Sequence, residues 1–261
     1  MINLRLDGAV RTLILTLRAR ADEQLETAPL LDDPWSADWY QFMPEVKPLD
    51  DWYNPTFQLA TVIRSRLIDD AVSAFIDSHD QPLIVELGAG FSTRYFRIGQ
   101  DKTQWIELDL GDAIVARRKI DSDVDAHWFI DSDMSNTDWL NLLPDVDPKN
   151  TLFIAEGALM FLEEDNVKHL LDTLSEQYAG ASFIFDVVNP DYIEHANGDF
   201  SQINAPMHWG IYEDELSDYS VTVNHISYLL LEHPERWDAL NIDAEKRTKK
   251  RSGYIVSATL G

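Results

Sequence analysis

From Pro82 onward the chain alternates apolar runs of strand length with helical patterns, and no other feature restricts the possible folds as strongly. The runs are Leu83-Ile84-Val85, Trp105-Ile106-Glu107-Leu108-Asp109-Leu110, Trp128-Phe129-Ile130, Leu152-Phe153-Ile154-Ala155 and Phe183-Ile184-Phe185. Short strands that are apolar almost throughout, with helices between them, predict a parallel sheet covered on both faces. One intervening helix is explicit: Val167, Leu170, Leu171, Leu174 and Tyr178 recur at helical spacing. Glu163, Glu164 and Asp165 fill its first turn, where the helix dipole favours anions. Two more strand-like stretches, 226–231 and 253–258, follow near the end of the chain.

Residues 1–80 follow a different pattern. Val10, Leu13, Ile14, Leu17 and Ala21 make one amphipathic stripe, and Ala60, Ile63, Leu67, Ala71 and Phe75 make another. Between them Pro34, Pro44, Pro48 and Pro55, with Trp35, Trp39 and Trp52, predict an irregular, aromatic-rich connection. A segment with so little core of its own reads as a helical cap on the sheet. The expected organisation is a single domain over 1–261, with the cap over 1–80, an α/β core over 81–261 and a loop at 189–212 on the ligand side.

The strongest local signal is Val85-Glu86-Leu87-Gly88-Ala89-Gly90, a buried strand running into two glycines. Gly88 and Gly90 allow a tight turn and a close backbone approach to a ligand, with a helix N-terminus behind it. The other reading is a plain strand-to-helix turn. Thr93 stands where a dinucleotide fingerprint has its third glycine, which weakens a nicotinamide reading. Glu86 adds an acid inside the strand end. Asp109 ends the next strand 19 residues after Gly90, the spacing at which a carboxylate accepts hydrogen bonds from ribose hydroxyls. Alternatively it is a solvated strand-end acid. Arg64 and Arg20 fall within the apolar stripes, where a guanidinium needs an anion, either a ligand or an internal acid.

Charge and composition exclude several partners. Forty-six acids against 21 bases give a formal net charge of −25, which repels phosphate backbones and anionic lipid, so neither nucleic acid nor membrane is an expected partner. The one basic run, 246–251, is short. With no cysteine there is no disulfide framework, thiolate nucleophile or Cys-ligated zinc. The first residues lack a secretory pattern and no apolar run approaches the roughly 20 residues that span a bilayer, so a cytoplasmic protein is expected.

Three motifs in this order carry a resemblance. Leu87-Gly88-Ala89-Gly90-Phe91-Ser92-Thr93-Arg94, the strand ending at Asp109, and Leu152-Phe153-Ile154-Ala155-Glu156-Gly157 resemble the leucine carboxyl methyltransferase family, in particular its bacterial polyketide-type O-methyltransferase branch. Ala19-Arg20-Ala21, Asp33-Pro34 and residues 63–70 are similar to its N-terminal cap, and Trp209-Gly210-Ile211-Tyr212 to its late substrate-side loop. The likeness implies a Rossmann-like class I sheet, mostly parallel with an antiparallel C-terminal strand, that binds S-adenosylmethionine (SAM). It implies the turn under SAM at Gly88 and Gly90, ribose contacts at Asp109, and adenine contacts at Asp133 or else Asp131. It further implies methionine-amino contacts at Glu156 and a carboxylate clamp at Arg64, with Arg20 as helper. Ser92 and Gly111 depart from the family, which has Asp and Pro there.

The implied reaction is methyl transfer to a carboxylate or hydroxyl of a small molecule. A carboxylate needs no general base; a hydroxyl is helped by one, and His208 and His195 are the weak candidates, neither assigned. The rival readings are a non-catalytic SAM sensor and an NAD-dependent oxidoreductase.

Overall fold

A computed structural model describes residues 11–44, 52–200, 205–249 and 253–261. Val10 and Pro48 of the cap pattern, and part of the basic run at 246–251, lie outside the described residues. Seven strands form one sheet among the described residues: β1 Leu83–Leu87, β2 Gln104–Asp109, β3 His127–Asp131, β4 Thr151–Ala155, β5 Ser182–Val188, β6 Val221–Tyr228 and β7 Gly253–Leu260. Their order is β3-β2-β1-β4-β5-β7-β6. Strands β1 to β5 are parallel, and β7 lies antiparallel between β5 and β6. The expected sheet is therefore the observed one. The chain runs outward from β1 to β3 and returns at β4, so the order reverses between β1 and β4. In open α/β sheets the ligand crevice opens there, at the carboxyl ends of the strands.

The two central strands are buried along their whole length, as their unbroken apolar runs require. Leu83, Val85, Leu87 and Phe153 face one core, packed by helix α5 (Glu164–Gln177) through Val167, Leu170, Leu171 and Leu174. Ile84, Leu152 and Ile154 face the other, covered by helix α3 (Pro55–Ser78). Each such side chain contributes about 1.5–3 kcal/mol on burial.

The cap holds α1 (Thr12–Glu23), α2 (Pro34–Tyr40) and α3, and α4 (Gly111–Arg117) follows β2. Two of its prolines open helices rather than interrupt them: Pro34 follows the N-cap Asp33, and Pro55 follows the N-cap Asn54. The buried face of α3 is rotated from the expected stripe. Leu59, Val62, Ile63, Ile68, Val72 and Ile76 are buried, whereas Ala60, Leu67, Ala71 and Phe75 are only half-buried. The helix is apolar on two sides because it has two neighbours, the sheet and Trp237, and a single stripe describes neither. Two more corrections concern boundaries. The strand expected over 226–231 is shifted: β6 ends at Tyr228 and a 3-10 turn takes Leu229–Leu231. The stretch expected as a loop from 189 opens with a helix, α6 (Pro190–Phe200).

Candidate active site

The glycine turn is built from the sheet outward. Gly88 and Gly90 both take left-handed φ values, +65° and +54°, which favour glycine. The carbonyl of Leu108 on β2 accepts from the Gly88 and Ala89 N–H groups, at 2.8 and 3.2 Å. A Cβ on Gly88 would lie 2.7 Å from the Ala158 Cβ, and one on Gly90 would lie 2.5 Å from a Leu13 methyl of α1. Cap and sheet thus close on the turn from both sides. Asp109 accepts the Gly90 N–H at 2.7 Å on one oxygen and the Leu110 N–H at 2.7 Å on the other. Burial pushes its carboxyl up to about 6, against the pull of those two N–H groups.

Behind the turn lies a group that the sequence did not reveal. Arg117 donates to the Gly90 carbonyl at 3.0 Å and pairs with Glu107 at 2.8 Å. His127 approaches the same carboxylate at 3.0 Å. Glu107 therefore works inside the fold, two residues before Asp109 and on the same face of β2. Glu86 has a similar position on β1, in register with Glu107, and its own arginine, Arg94.

Three cavities meet above the sheet, and Thr12 and Gly157 line all of them. The first, of about 240 Å³, is bounded by Gly88, Asp109, Leu110, Asp133 and Met134. Asp133 lines it while one of its oxygens accepts from the Ser135 N–H and hydroxyl, at 2.9 and 2.8 Å. Asp131 instead packs on Gly111, where a Cβ would stand 3.0 Å from both its oxygens.

The second cavity is small and polar, lined by Arg20, Arg64, Ser65, Glu86, Arg94 and Glu156 among others. Arg64 donates through Nε to Glu156 at 3.0 Å and through Nη1 to Asp186 at 3.1 Å. Arg94 reaches Asp69 at 2.7 Å and also contacts Glu86 and Glu156. Arg97 joins Asp69 to Asp33, and Arg20 donates to Asp33 at 3.1 Å and to the Phe91 carbonyl at 2.7 Å. Both arginines expected at the site therefore line it, and both are held by internal partners. Four guanidiniums share five carboxylates in this network. The surplus of acid is felt at Glu86: burial raises its carboxyl, Arg94 pulls it down, and Glu107 and Glu156 push it up again, to about 7. Burial alone would raise Glu156 too, but Arg94, Arg64 and Arg20 hold it well below the usual carboxylate range. Ser92 donates to Glu86 at 3.1 Å, a bond that an aspartate there could not make.

The third cavity, of about 120 Å³, is mostly apolar and is walled by Leu15, Phe57, Met160, Phe161, Tyr192 and Met207, with Arg64 and Asp186 at its floor. The cap and the segment after β5 do meet here. Among the aromatics of the cap and of segment 189–212, Tyr192 lines this cavity, whereas Trp39 packs against Phe96 and Trp209 is buried with its indole N–H on Tyr219. Phe200 and His195 have side chains outside those described. His208 is outside the cavities: Met207 turns inward, and the neighbouring His208 points to Glu163 at 3.0 Å on the exposed side.

Residues 14–175 match the family profile described as Leucine carboxyl methyltransferase. The tetracenomycin polyketide synthesis O-methyltransferase TcmP of Streptomyces glaucescens is 28% identical over 218 residues, covering 80% of this chain and 77% of that one. The S-adenosyl-L-methionine-dependent methyltransferase dpfgK of Gibberella zeae is 27% identical over 192 residues, 66% of this chain and 62% of that one. Two solved structures share the fold. A duf574 family protein from Streptomyces avermitilis has a TM-score of 0.63 at 12% identity, covering 94% of this chain and 97% of that one. An S-adenosylmethionine-dependent methyltransferase from Mesorhizobium loti has 0.52 at 17%, covering 73% and 96%. The chain belongs to the leucine carboxyl methyltransferase family, whose members are SAM-dependent methyltransferases.

Proposed function

We propose that the enzyme transfers the methyl group of SAM to an oxygen, carboxylate or hydroxyl, of a small apolar molecule. The observation that carries this reading is the joining of three cavities of different character at Thr12 and Gly157. Their sequence of nucleoside-sized, charged and apolar spaces corresponds to the adenosine, the methionine end and an acceptor. The name of the Streptomyces relative supports oxygen as the acceptor atom. In this reading the cap, the α/β core and the segment 189–212 act as one unit, each supplying a wall.

The residues fit the cofactor. The Gly88–Gly90 turn leaves no room for a Cβ, and its Gly88 backbone borders both the nucleoside-sized and the polar cavity. Asp109 faces the ribose hydroxyls and Asp133 the adenine. Arg64 holds the methionine carboxylate and Glu156 its ammonium, so the two exchange part of their mutual pairing for the ligand's ends. Arg20 and Glu86 act at one remove, through Phe91 and Arg94. SAM carries one net positive charge, which offsets the surplus acid of the network. Bound, it supplies an electrophilic methyl on a sulfonium. The protein's part is to hold the acceptor in line with that methyl between α1, α3 and α6 and to exclude water with Phe57, Met160 and Phe161. No protein base is assigned to the step.

The test is incubation with methyl-labelled SAM and a panel of aromatic carboxylic acids and phenols. Label in an ester released by mild alkali identifies a carboxylate acceptor, and alkali-stable label an ether. Label appearing on nitrogen or carbon would defeat the reading.

Asp109 adds a pH dependence. Ribose hydroxyls donate more strongly to the ionised carboxylate than to the neutral acid, so SAM binding lowers a carboxyl that stands at about 6 in the free protein. Through Asp109, affinity is expected to fall by up to about tenfold per unit below pH 6. Calorimetry across that range checks it, and Asp109→Asn is expected to bind weakly with little pH dependence.

A further inference from the structure

Asp186, at the carboxyl end of β5 and 3% exposed, has a place in this site that the sequence motifs do not mark. One of its oxygens accepts the Gly157 N–H at 2.6 Å and the other accepts Arg64 Nη1 at 3.1 Å. Gly157 takes φ +64°, and a Cβ there would lie 3.0 Å from Arg64 Nη2, so the guanidinium rests directly on this glycine. The peptide joining Glu156 to Gly157 is trans. Its carbonyl therefore points away from its N–H. The N–H is held by Asp186 of β5, so the Glu156 carbonyl is turned away from that carboxylate. The polar cavity that Glu156 and Gly157 line is also bounded by Glu86, Gly88 and Ala89.

We infer that Asp186 is a positioning residue for the cofactor's methionine end. One carboxylate fixes two binding elements together: the plane of the Arg64 guanidinium, and the direction in which the 156–157 peptide presents its acceptor. With Nε on Glu156 and Nη1 on Asp186, Arg64 is oriented before the ligand arrives, and its Nη2 lies against Gly157, which lines all three cavities. The same carboxylate lies on the floor of the apolar cavity, so it also sets the boundary between methyl donor and acceptor. This inference rests on the proposed reading of the polar cavity as the methionine site.

The experiment compares SAM with methylthioadenosine, which has the nucleoside and sulfur but no amino acid end, by calorimetry on the full chain. Asp186→Ala is expected to weaken SAM about tenfold or more while methylthioadenosine binds as to the unaltered protein. Asp186→Asn keeps an oxygen for the Gly157 N–H but loses the charge facing Arg64, and is expected to fall between the two. It also serves if the alanine variant does not fold. Unchanged SAM affinity in Asp186→Asn, or equal losses for SAM and methylthioadenosine, overturns the inference. Arg64→Ala, run in parallel, separates the two claims. If it loses SAM affinity while the Asp186 variants do not, the methionine site stands and the role of Asp186 falls. If neither residue affects SAM, the reading of the cavity fails and the inference with it.

Discussion

Replacing Arg94 with alanine is expected to destabilise the fold by about 3–5 kcal/mol, the cost of leaving buried carboxylates without their counter-ion. Arg94 is 1% exposed and joins Asp69 of α3, Glu86 of β1 and Glu156 after β4. Its loss leaves Glu86 with no other cation paired to it among the described residues, in a network already rich in acid. For a chain of this size the change corresponds to a drop of roughly 10 °C in the midpoint of thermal unfolding. Arg94→Lys is expected to recover only part of it, because one ammonium cannot reach three acids with the geometry of a guanidinium fork. Scanning calorimetry checks both variants. A midpoint within about 2 °C of the unaltered protein would show that the network does not hold cap and sheet together.

The second large effect is at Arg64. Arg64→Ala is expected to weaken SAM about 10- to 150-fold, the range for loss of a charge-assisted hydrogen-bonded clamp. It also releases Glu156 and Asp186 from their shared cation, so some loss of stability accompanies the loss of affinity. The two contributions separate experimentally. If the clamp reading holds, the affinity of the still-folded variant falls at a temperature well below its unfolding midpoint. If Arg64 serves only the fold, the midpoint falls and the affinity measured below it does not. Arg20→Ala is expected to cost less affinity, since its guanidinium reaches Asp33 and the Phe91 carbonyl.

Which of these residues can be read from sequence follows from where their partners lie. Gly88, Gly90 and Asp109 were legible because their partners are local or at a fixed spacing: the turn needs left-handed backbone, and Asp109 meets Gly90 19 residues earlier. Periodicity placed Arg64 and Arg20 on buried faces but could not say with what they pair. Arg64 meets Glu156 and Asp186 at separations of 92 and 122 residues, which no local pattern encodes. Asp186 was missed for the same reason, and Arg94 and Arg117 were missed although some of their partners lie within 10 residues in sequence. Each looks like an ordinary charge at the end of a strand or in a helix, and burial alone gives it its role. A single apolar stripe likewise misjudged α3, whose two apolar sides answer to two different neighbours. His208 follows a motif region, yet the inward turn of Met207 leaves it outside. The parallel, doubly covered sheet was the most legible feature, because apolar runs in central strands follow directly from burial on both faces.

The central claim is that one three-part cavity binds SAM between the Gly88–Gly90 turn, Asp109 and Arg64. Titration calorimetry with S-adenosylhomocysteine, the demethylated product, tests it most directly, on the unaltered protein and on Asp109→Ala and Arg64→Ala. One site per chain is predicted, with affinity reduced about tenfold or more by each substitution at opposite ends of the ligand. No heat of binding from the folded protein, or binding that neither substitution alters, would contradict it.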